Sequence, residues 1–331
     1  MRRLSHTAAA TVGARRKTAG ADHARSAAAR AGDEAARASE TVGAAIDRCE
    51  RALRRARVHF GHGTDNARDE AAELVFFVAG LEHQVGSSAY SNRLGARQAA
   101  RIAVLLERRI AERIPLPYLT HRSFFAGLEL YVDERVLVPR SPIAELVLQR
   151  FSPWVDARRV RRILDVGTGS GAIALACALA FPKGRVDAVD VSAAALQVAR
   201  RNLKRLGLQK RIRLLQSDYF DAVAGCRYDI IVSNPPYVGR AEMRRLPREY
   251  RHEPRLGLAS GADGLDSVRA IFAAARRHLS RDGILVVEVG NTEDALLRAF
   301  PRLPFVWPQI AMGGGGVFLL RAQDLEAELQ E

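Results

Sequence analysis

The chain has 331 residues, of which 48% are hydrophobic and 27% are charged, and it carries a formal net charge of +14. This composition is that of a globular protein with one or two domains, and no run of apolar residues is long enough to cross a membrane. The positive charge favours polyanionic partners such as RNA or ribosomal particles, although a coding bias toward arginine would give the same balance.

The three cysteines, at positions 49, 177 and 226, are an odd number without paired spacing. They argue against a disulfide framework and against a zinc site, so we expect no bound metal. Free thiols are typical of the reducing cytoplasm, which is the predicted location.

Residues 1–40 consist mostly of Ala, Arg, Thr, Ser and Gly. We predict that they are disordered, because they cannot bury enough apolar surface to offset the entropy lost on ordering. Four acidic residues within them argue against an organellar transit peptide.

Residues 41–115 are predicted to form a small helical domain that recognises the substrate. Apolar residues recur there in three runs at helical spacing: Ile46, Leu53 and Val58; Leu74, Val75, Phe77 and Val78; Ile102, Val104, Leu105 and Ile110. A cap within 64–66 should start the second helix, and Pro115 and Pro117 should end the third. Residues 116–139 alternate between apolar and polar around Gly127, which predicts a β-hairpin linking two domains.

From residue 140 to residue 325, strands and helices alternate, which predicts a doubly wound α/β domain with a mostly parallel sheet. The strands are predicted at 162–166, 185–191, 211–217, 228–232 and 283–289, and the helices at 172–180, 193–206 and 268–279. The segment 305–320 should add two strands joined by a glycine-rich turn, giving seven strands.

The first of these strands leads into a glycine loop, Asp165–Gly171, with glycines at every second position. This spacing differs from the Gly-x-Gly-x-x-Gly of pyrophosphate-binding dehydrogenases, and no lysine follows it as in a Walker loop. Asp190 ends the second strand, where its carboxylate can accept both hydroxyls of a ribose. The combination favours S-adenosylmethionine over NAD as the cofactor. The alternatives are that the glycines serve only packing and that Asp190 caps the next helix with Ser192.

The third strand ends at Asp218 and Tyr219, which should lie beside the adenine of the cofactor. The Asp218 carboxylate could accept a hydrogen bond from the exocyclic amine, and the Tyr219 ring could stack on the base. Packing of Tyr219 in the core is the alternative interpretation.

The fourth strand ends on Asn234, Pro235, Pro236 and Tyr237. Each proline lacks an N–H and pushes the residue before it toward extended geometry. The Asn234 side-chain oxygen and the Pro235 carbonyl are therefore held stiffly as acceptors for a planar NH₂ group, and Tyr237 can pack on the flat face of that group. Such acceptors stabilise the positive charge that develops on a nitrogen while it attacks a methyl sulfonium. A simple turn is the alternative.

Together, these motifs resemble those of the HemK-type protein glutamine methyltransferases over residues 41–325. The resemblance implies a class I S-adenosylmethionine-dependent fold in which Asp165, Gly167, Thr168, Gly169, Ser170, Gly171, Asp190, Asp218, Tyr219 and Asn234 bind the cofactor. It also implies that Asn234, Pro235, Pro236 and Tyr237 hold a glutamine side chain.

Four further segments, 60–71, 112–120, 131–142 and 246–266, resemble the branch of this family that methylates a glutamine of the third large-subunit ribosomal protein. The alternatives are the release-factor branch and an amino methyltransferase acting on adenine or guanine in nucleic acid. The leader departs from the family pattern, as do the basic residues Arg240, Arg244 and Arg245. We expect His62 and His252 to be structural, because neither has a partner at metal-ligand spacing.

Overall fold

A computed structural model of the chain describes residues 40–82, 86–311 and 315–325. Apart from its last residue, the predicted disordered leader lies outside these residues. The chain divides into two compact units. Of the described residues, those up to Val58 and within Asn66–Glu112 form the first unit, and His59–Asp65 and the residues from Arg113 onward form the second. No described helix is long and apolar enough to span a membrane.

Three helices form the first unit: α1 (Val42–Ala56), α2 (Ala67–Ala79) and α3 (Ala96–Ala111), with a 3₁₀ turn at Ser87–Ser91. The Asn66 side chain accepts a hydrogen bond from the Asp69 N–H (3.0 Å) and caps α2, within the predicted range. Phe76 is buried where the sequence suggested Phe77, and Val104 is exposed. In both helices, consecutive apolar residues point in several directions around the helix axis. Only those on the side that packs against a neighbouring helix become buried.

The second unit consists of a hairpin and a larger sheet with helices. Its elements are α4 (Leu116–Thr120), β1 (Ser123–Phe125), β2 (Leu128–Leu130), α5 (Ile143–Leu148), β3 (Arg162–Val166), α6 (Ala172–Ala180), β4 (Arg185–Asp190), α7 (Ala193–Arg205), β5 (Ile212–Gln216), β6 (Tyr228–Ser233), α8 (Arg240–Met243), α9 (Asp266–His278), β7 (Leu279–Glu288), α10 (Glu293–Ala299) and β8 (Val317–Arg321). Strands β1 and β2 pair antiparallel, so the predicted hairpin is present. It spans residues 123–130 and not the predicted 116–139, because α4 occupies the first residues of that range.

The larger sheet has the order β5-β4-β3-β6-β7-β8, in which only β8 is antiparallel to its neighbour. Successive residues of the central strands alternate between two buried clusters: Ile163 and Ile230 belong to one, and Leu164 and Ile231 to the other. Helices therefore cover both faces of the sheet. The order reverses between β3 and β6, so the loops after these two strands diverge and leave a crevice at the carboxyl edge.

The described residues form six strands in this sheet, where seven were predicted. The missing strand is the first part of the tail, which makes only a single bridge between Val306 and Leu319. Pro304 and Pro308 flank the bridge, and neither residue has an N–H to extend a ladder. Part of the predicted glycine-rich turn, residues 312–314, lies outside the described residues.

Candidate functional site

A cavity of about 440 Å³ lies at the carboxyl edge of the sheet. Of the predicted site residues, those lining it are Gly167, Thr168, Gly169, Ser170, Asp190, Asp218, Tyr219, Asn234, Pro235, Pro236 and Tyr237. Asp165 and Gly171 were also expected to contact the cofactor, but they do not line the cavity. The lining surface is mostly apolar, so the few polar groups on it can define how a bound molecule is oriented.

The glycine loop needs its glycines for two different reasons. Gly167 (φ 74°), Gly169 (φ 54°) and Gly171 (φ 83°) all have left-handed backbone conformations that disfavour other residues. A Cβ at Gly167 or Gly169 would meet no atom within 4 Å, whereas one at Gly171 would lie 3.3 Å from the Ala199 side chain. The packing interpretation therefore applies to Gly171, and the first two leave their backbone open to a ligand.

Asp165 supports this loop from beneath. Its Oδ2 accepts hydrogen bonds from the Thr168 hydroxyl (2.6 Å) and from the Ala174 N–H (3.0 Å). Burial raises the pKa of Asp165 to about 7, even though both hydrogen bonds act in the opposite direction. Its Oδ1 is buried and has no hydrogen-bond partner among the described residues, which leaves one acceptor unused beside the loop.

Asp190 lies where the sequence predicted it, at the end of β4. Its Oδ2 accepts from the Gly169 N–H and its Oδ1 from the Ser192 N–H, each at 2.8 Å. Burial raises the pKa of Asp190, while these two hydrogen bonds counteract the shift. Ser192 itself caps α7 through a bond from Ala195 N–H (3.1 Å), so Asp190 is not needed as the cap. Each carboxylate oxygen retains capacity for a further donor, such as a ribose hydroxyl.

Tyr219 has a strained backbone and borders the cavity. Its φ is 41°, a conformation that a bulky residue adopts only when its surroundings enforce it. Tyr219 packs against one of the two buried clusters and also lines the cavity, so the packing interpretation is confirmed and stacking on the adenine stays a prediction. Asp218 is exposed at the rim. An apolar cavity with a glycine cradle, a ring and a carboxylate fits the size and chemistry of an adenosine cofactor.

The segment after β6 places two hydrogen-bond acceptors in the cavity wall. No described residue forms a hydrogen bond with the Asn234 amide or with the Pro235 carbonyl. Asn234 is half-buried in the cavity wall. Just before it, the Ser233 hydroxyl donates to the Val166 carbonyl (2.7 Å), which joins the ends of β6 and β3. The two acceptors predicted from the sequence therefore lie on a fixed backbone next to the glycine loop.

Tyr237 is fixed by a carboxylate that was not among the residues predicted from the sequence. The Tyr237 hydroxyl donates to Glu288 Oε1 (3.0 Å), and the Ser141 hydroxyl donates to Oε2 of the same carboxylate. Glu288 is 5% exposed, and burial raises its pKa, while these two hydrogen bonds oppose that shift. An acidic residue at the end of a predicted buried strand was the signal that could have revealed it.

Bare backbone packs around Tyr237. A Cβ at Gly290 (φ 52°) would lie 2.6 Å from the Tyr237 ring, and one at Gly264 (φ 85°) would lie 2.3 Å from the Tyr237 carbonyl oxygen. Glycine is thus required at both positions by backbone conformation and by space. The Tyr237 ring is held by its hydroxyl at one end and by the Gly290 backbone along its side, and Gly264 packs against the Tyr237 backbone.

An ion pair between a half-buried arginine and a buried glutamate lies in the cavity wall. Arg140, which lines the cavity, donates to both oxygens of Glu253 (2.5 and 2.8 Å), and the Val138 N–H donates to the same carboxylate (3.1 Å). His62 Nε2 lies 3.6 Å from Glu253. Burial alone would raise the pKa of Glu253, but its electrostatic interactions with His62 and Arg140 lower it to about 2. His62 therefore has a charged neighbour, which its position in the sequence did not reveal.

Comparison with known proteins agrees with this geometry. A family model described as the methyltransferase small domain matches residues 144–247. The ribosomal protein uL3 glutamine methyltransferase of Bordetella pertussis is 48% identical over 274 residues, which are 82% of this chain and 92% of that protein. Proteins of the same name are similar at 42% identity in Francisella tularensis (81% and 86% covered) and at 45% in Xanthomonas campestris (82% and 88%).

Proposed function

Because the chain belongs to the family of ribosomal protein uL3 glutamine methyltransferases, we propose that it methylates the side-chain amide nitrogen of a glutamine in that protein. The methyl donor is S-adenosylmethionine, and the fold is the predicted class I methyltransferase fold. The observation that carries the proposal is the pair of acceptors at Asn234 and Pro235, which have no hydrogen-bond partner in the part of the chain that the structure describes and which share a cavity with the glycine loop.

The residues around the glycine loop fit the cofactor. Asp190 would accept the ribose hydroxyls and Tyr219 would pack on the adenine. Asp165 would support the loop that holds the cofactor by accepting the hydrogen bond from the Thr168 hydroxyl. Backbone N–H groups and the lack of side chains at Gly167 and Gly169 allow close approach. When bound, S-adenosylmethionine supplies a methyl group activated by the neighbouring sulfonium.

The acceptor nitrogen is a poor nucleophile because its lone pair is delocalised into the amide. The Asn234 side-chain oxygen and the Pro235 carbonyl would accept its two N–H groups, hold it, and favour tetrahedral geometry. Both interactions strengthen as positive charge develops on the nitrogen, so they stabilise the transition state more than the bound substrate. Tyr237 would pack on the flat face of the amide. Positioning supplies much of the rate, and no strong general base is needed.

The remaining parts of the proposal concern where the reaction takes place. The first unit would recognise the protein substrate, in solution or within an assembling ribosomal particle. RNA contact within such a particle is expected because the whole chain carries a net charge of +14. The cytoplasm is the proposed location.

A methylation assay tests the function. The purified chain is incubated with radiolabelled S-adenosylmethionine and ribosomal components, and mass spectrometry then locates the label. We expect the label on a glutamine of the ribosomal protein, and we expect protease to release it while nuclease does not. Label released by nuclease would favour a nucleic-acid amino methyltransferase, and label on a release factor would favour the other branch of the family.

The clamp is tested by Asn234→Ala. We expect turnover to fall about 100-fold, as when a single transition-state hydrogen bond is lost elsewhere, while calorimetry still detects cofactor binding. The matched control is Gln209→Ala at an exposed amide of the same unit that does not line the cavity, and it should keep normal turnover. Near-normal turnover in Asn234→Ala would show that the acceptor clamp is wrong.

A further inference from the structure

The chain after Tyr237 leaves the cavity and returns to it, and residues 239–258 are here called the basic loop. The Val238 N–H donates to the Leu258 carbonyl (2.8 Å), and the Ser260 N–H donates to the Val238 carbonyl (3.0 Å). Both ends of the loop are therefore fastened side by side. Its returning end lines the cavity through Pro254, Leu256, Gly257 and Leu258. The loop is thus part of the rim through which an acceptor must enter.

The basic loop carries six arginines, and all six are exposed: Arg240, Arg244, Arg245, Arg248, Arg251 and Arg255. None of these side chains forms an ion pair with another described residue. Some exposed arginines elsewhere have carboxylate partners, for example Arg54 with Glu50 (2.8 Å) and Arg213 with Asp187 (2.9 Å). Others have none among the described residues, but in the loop six such arginines lie between positions 240 and 255. The high density of arginines that lack an ion-pair partner among the described residues is therefore a feature of this loop. It does not follow only from the arginine-rich composition of the chain.

The acidic residues of the loop are turned inward. Glu249 is 2% exposed, and its carboxylate accepts from the His59 N–H (2.9 Å). Glu253 is 3% exposed and pairs with Arg140. Glu242 is half-buried and accepts from the Asn291 amide (2.8 Å). The loop is thus fixed by its carboxylates and presents its positive charges to the outside.

We infer that the basic loop binds RNA beside the cavity, so that the acceptor protein is methylated while RNA accompanies it. This inference rests on the proposed function in one respect. A protein that binds ribosomal RNA has basic surfaces of its own, and a basic rim would repel such a surface. RNA has the opposite charge, and unpaired arginines bind phosphates with release of counterions. Bound RNA would thereby reduce the electrostatic repulsion between the basic loop and a basic acceptor protein at the rim of the cavity.

The test compares two triple variants with equal loss of charge. Arg244→Ser, Arg245→Ser and Arg248→Ser remove half of the cluster. Arg158→Ser, Arg159→Ser and Arg281→Ser remove exposed arginines at the amino ends of β3 and β7, at the opposite edge of the sheet. Binding of a fluorescent oligouridine RNA of about 20 nucleotides is measured by anisotropy at several salt concentrations. Circular dichroism checks that both variants are folded.

For the loop variant we expect the dissociation constant to rise about tenfold or more, and the plot of log affinity against log salt to become shallower by about 2. The control variant should bind within about twofold of the unchanged protein, since its arginines lie away from the loop. An equal loss in both variants would overturn the inference, because the charge would then act without a specific surface.

A second probe separates RNA from an acidic protein. A fluorescent polyglutamate peptide is measured with the same variants, and we expect much weaker binding than for the RNA. Equal or tighter binding of the peptide would overturn the inference in favour of an acidic protein partner. These measurements involve no methyl transfer. If the chain binds RNA through the loop but labels no ribosomal protein, the proposed function would be contradicted. The inference that the loop binds RNA would still stand.

Discussion

Glu288 is a residue of the candidate site that the structure adds to those predicted from the sequence. It lies one strand away from Asn234, and its carboxylate receives the hydroxyls of Tyr237 and Ser141. Since Tyr237 would pack on the acceptor amide, Glu288 is a positioning residue that acts through the tyrosine. The Gln variant keeps the shape of the side chain but can no longer accept both hydroxyls with ionised oxygens.

For Glu288→Gln we predict a kcat lowered about tenfold, because a misplaced group costs more in the transition state than in binding. Cofactor affinity should stay within about twofold, since Glu288 does not line the cavity. Steady-state kinetics and calorimetry measure the two quantities. Tyr237→Phe, which removes only the hydroxyl, is the matched variant.

The double variant, which combines Glu288→Gln with Tyr237→Phe, tests whether Glu288 acts through Tyr237. If Glu288 works through Tyr237, the double variant should be no slower than the slower single variant. Multiplied effects would indicate that the two residues act independently and would contradict the positioning role.

At the scale of single residues, the sequence predicted the groups whose position depends on local backbone. Asn234 and Pro235 follow directly from two prolines at a strand end, and Gly167 and Gly169 from their alternation after a strand. The Glu288 carboxylate and the Arg140–Glu253 pair depend on the packing of segments far apart in the chain. No local pattern specifies such contacts, so only the structure could bring them together.

Among the elements, the short turn at Gly290–Thr292 holds the clamp by leaving space for Tyr237. For Gly290→Ala we predict a loss of turnover of about tenfold or more, because the new Cβ lies 2.6 Å from the ring and must displace it. Assays of turnover and of thermal unfolding on the same preparation measure the effect.

Gly207→Ala is the matched control, because Gly207 also has a left-handed φ (69°) but a Cβ there meets no atom within 4 Å. Both variants should lose about 1 kcal/mol of stability from backbone strain, and only Gly290→Ala should lose turnover. Equal loss of turnover in both would mean that strain, and not contact with the ring, is responsible.

Elements with a clear period or boundary were predicted well. The strand Arg162–Val166 and the helix Ala172–Ala180 have the predicted bounds, because a continuous apolar run and a glycine loop mark their ends. The prediction of a further edge strand in the tail was wrong, because prolines restrict that segment to a single bridge. In the first unit, the helices were predicted correctly, but their buried faces were predicted only in part. These helices contain more apolar residues than there are positions that face a neighbouring helix.

At the scale of the whole molecule, the balance between buried carboxylates sets how stability depends on pH. The pKa of Glu253 is lowered from 4.5 to about 2, so its stabilising contribution is complete above pH 4.5 and is lost as the pH falls toward 2. The pKa of Asp165 is raised from 3.8 to about 7, so its contribution is complete below pH 3.8 and is lost as the pH rises through 7. The two groups together favour greatest stability in mildly acidic solution.

Glu253→Gln isolates the first of these contributions. The variant leaves the Arg140 guanidinium without its charged partner, and we predict that the free energy of unfolding falls by about 3 kcal/mol at pH 7. Both tryptophans of the chain, Trp154 and Trp307, belong to the second unit, so urea unfolding followed by tryptophan fluorescence reports on that unit alone. The difference from the unchanged protein should shrink as the pH falls from 4.5 toward 2, where Glu253 itself takes up a proton. Glu134→Gln, at an exposed carboxylate, is the control and should leave stability within about 0.5 kcal/mol. A difference that stays constant from pH 7 to pH 2 would mean that the glutamate stabilises by shape, and the argument from charge would fail.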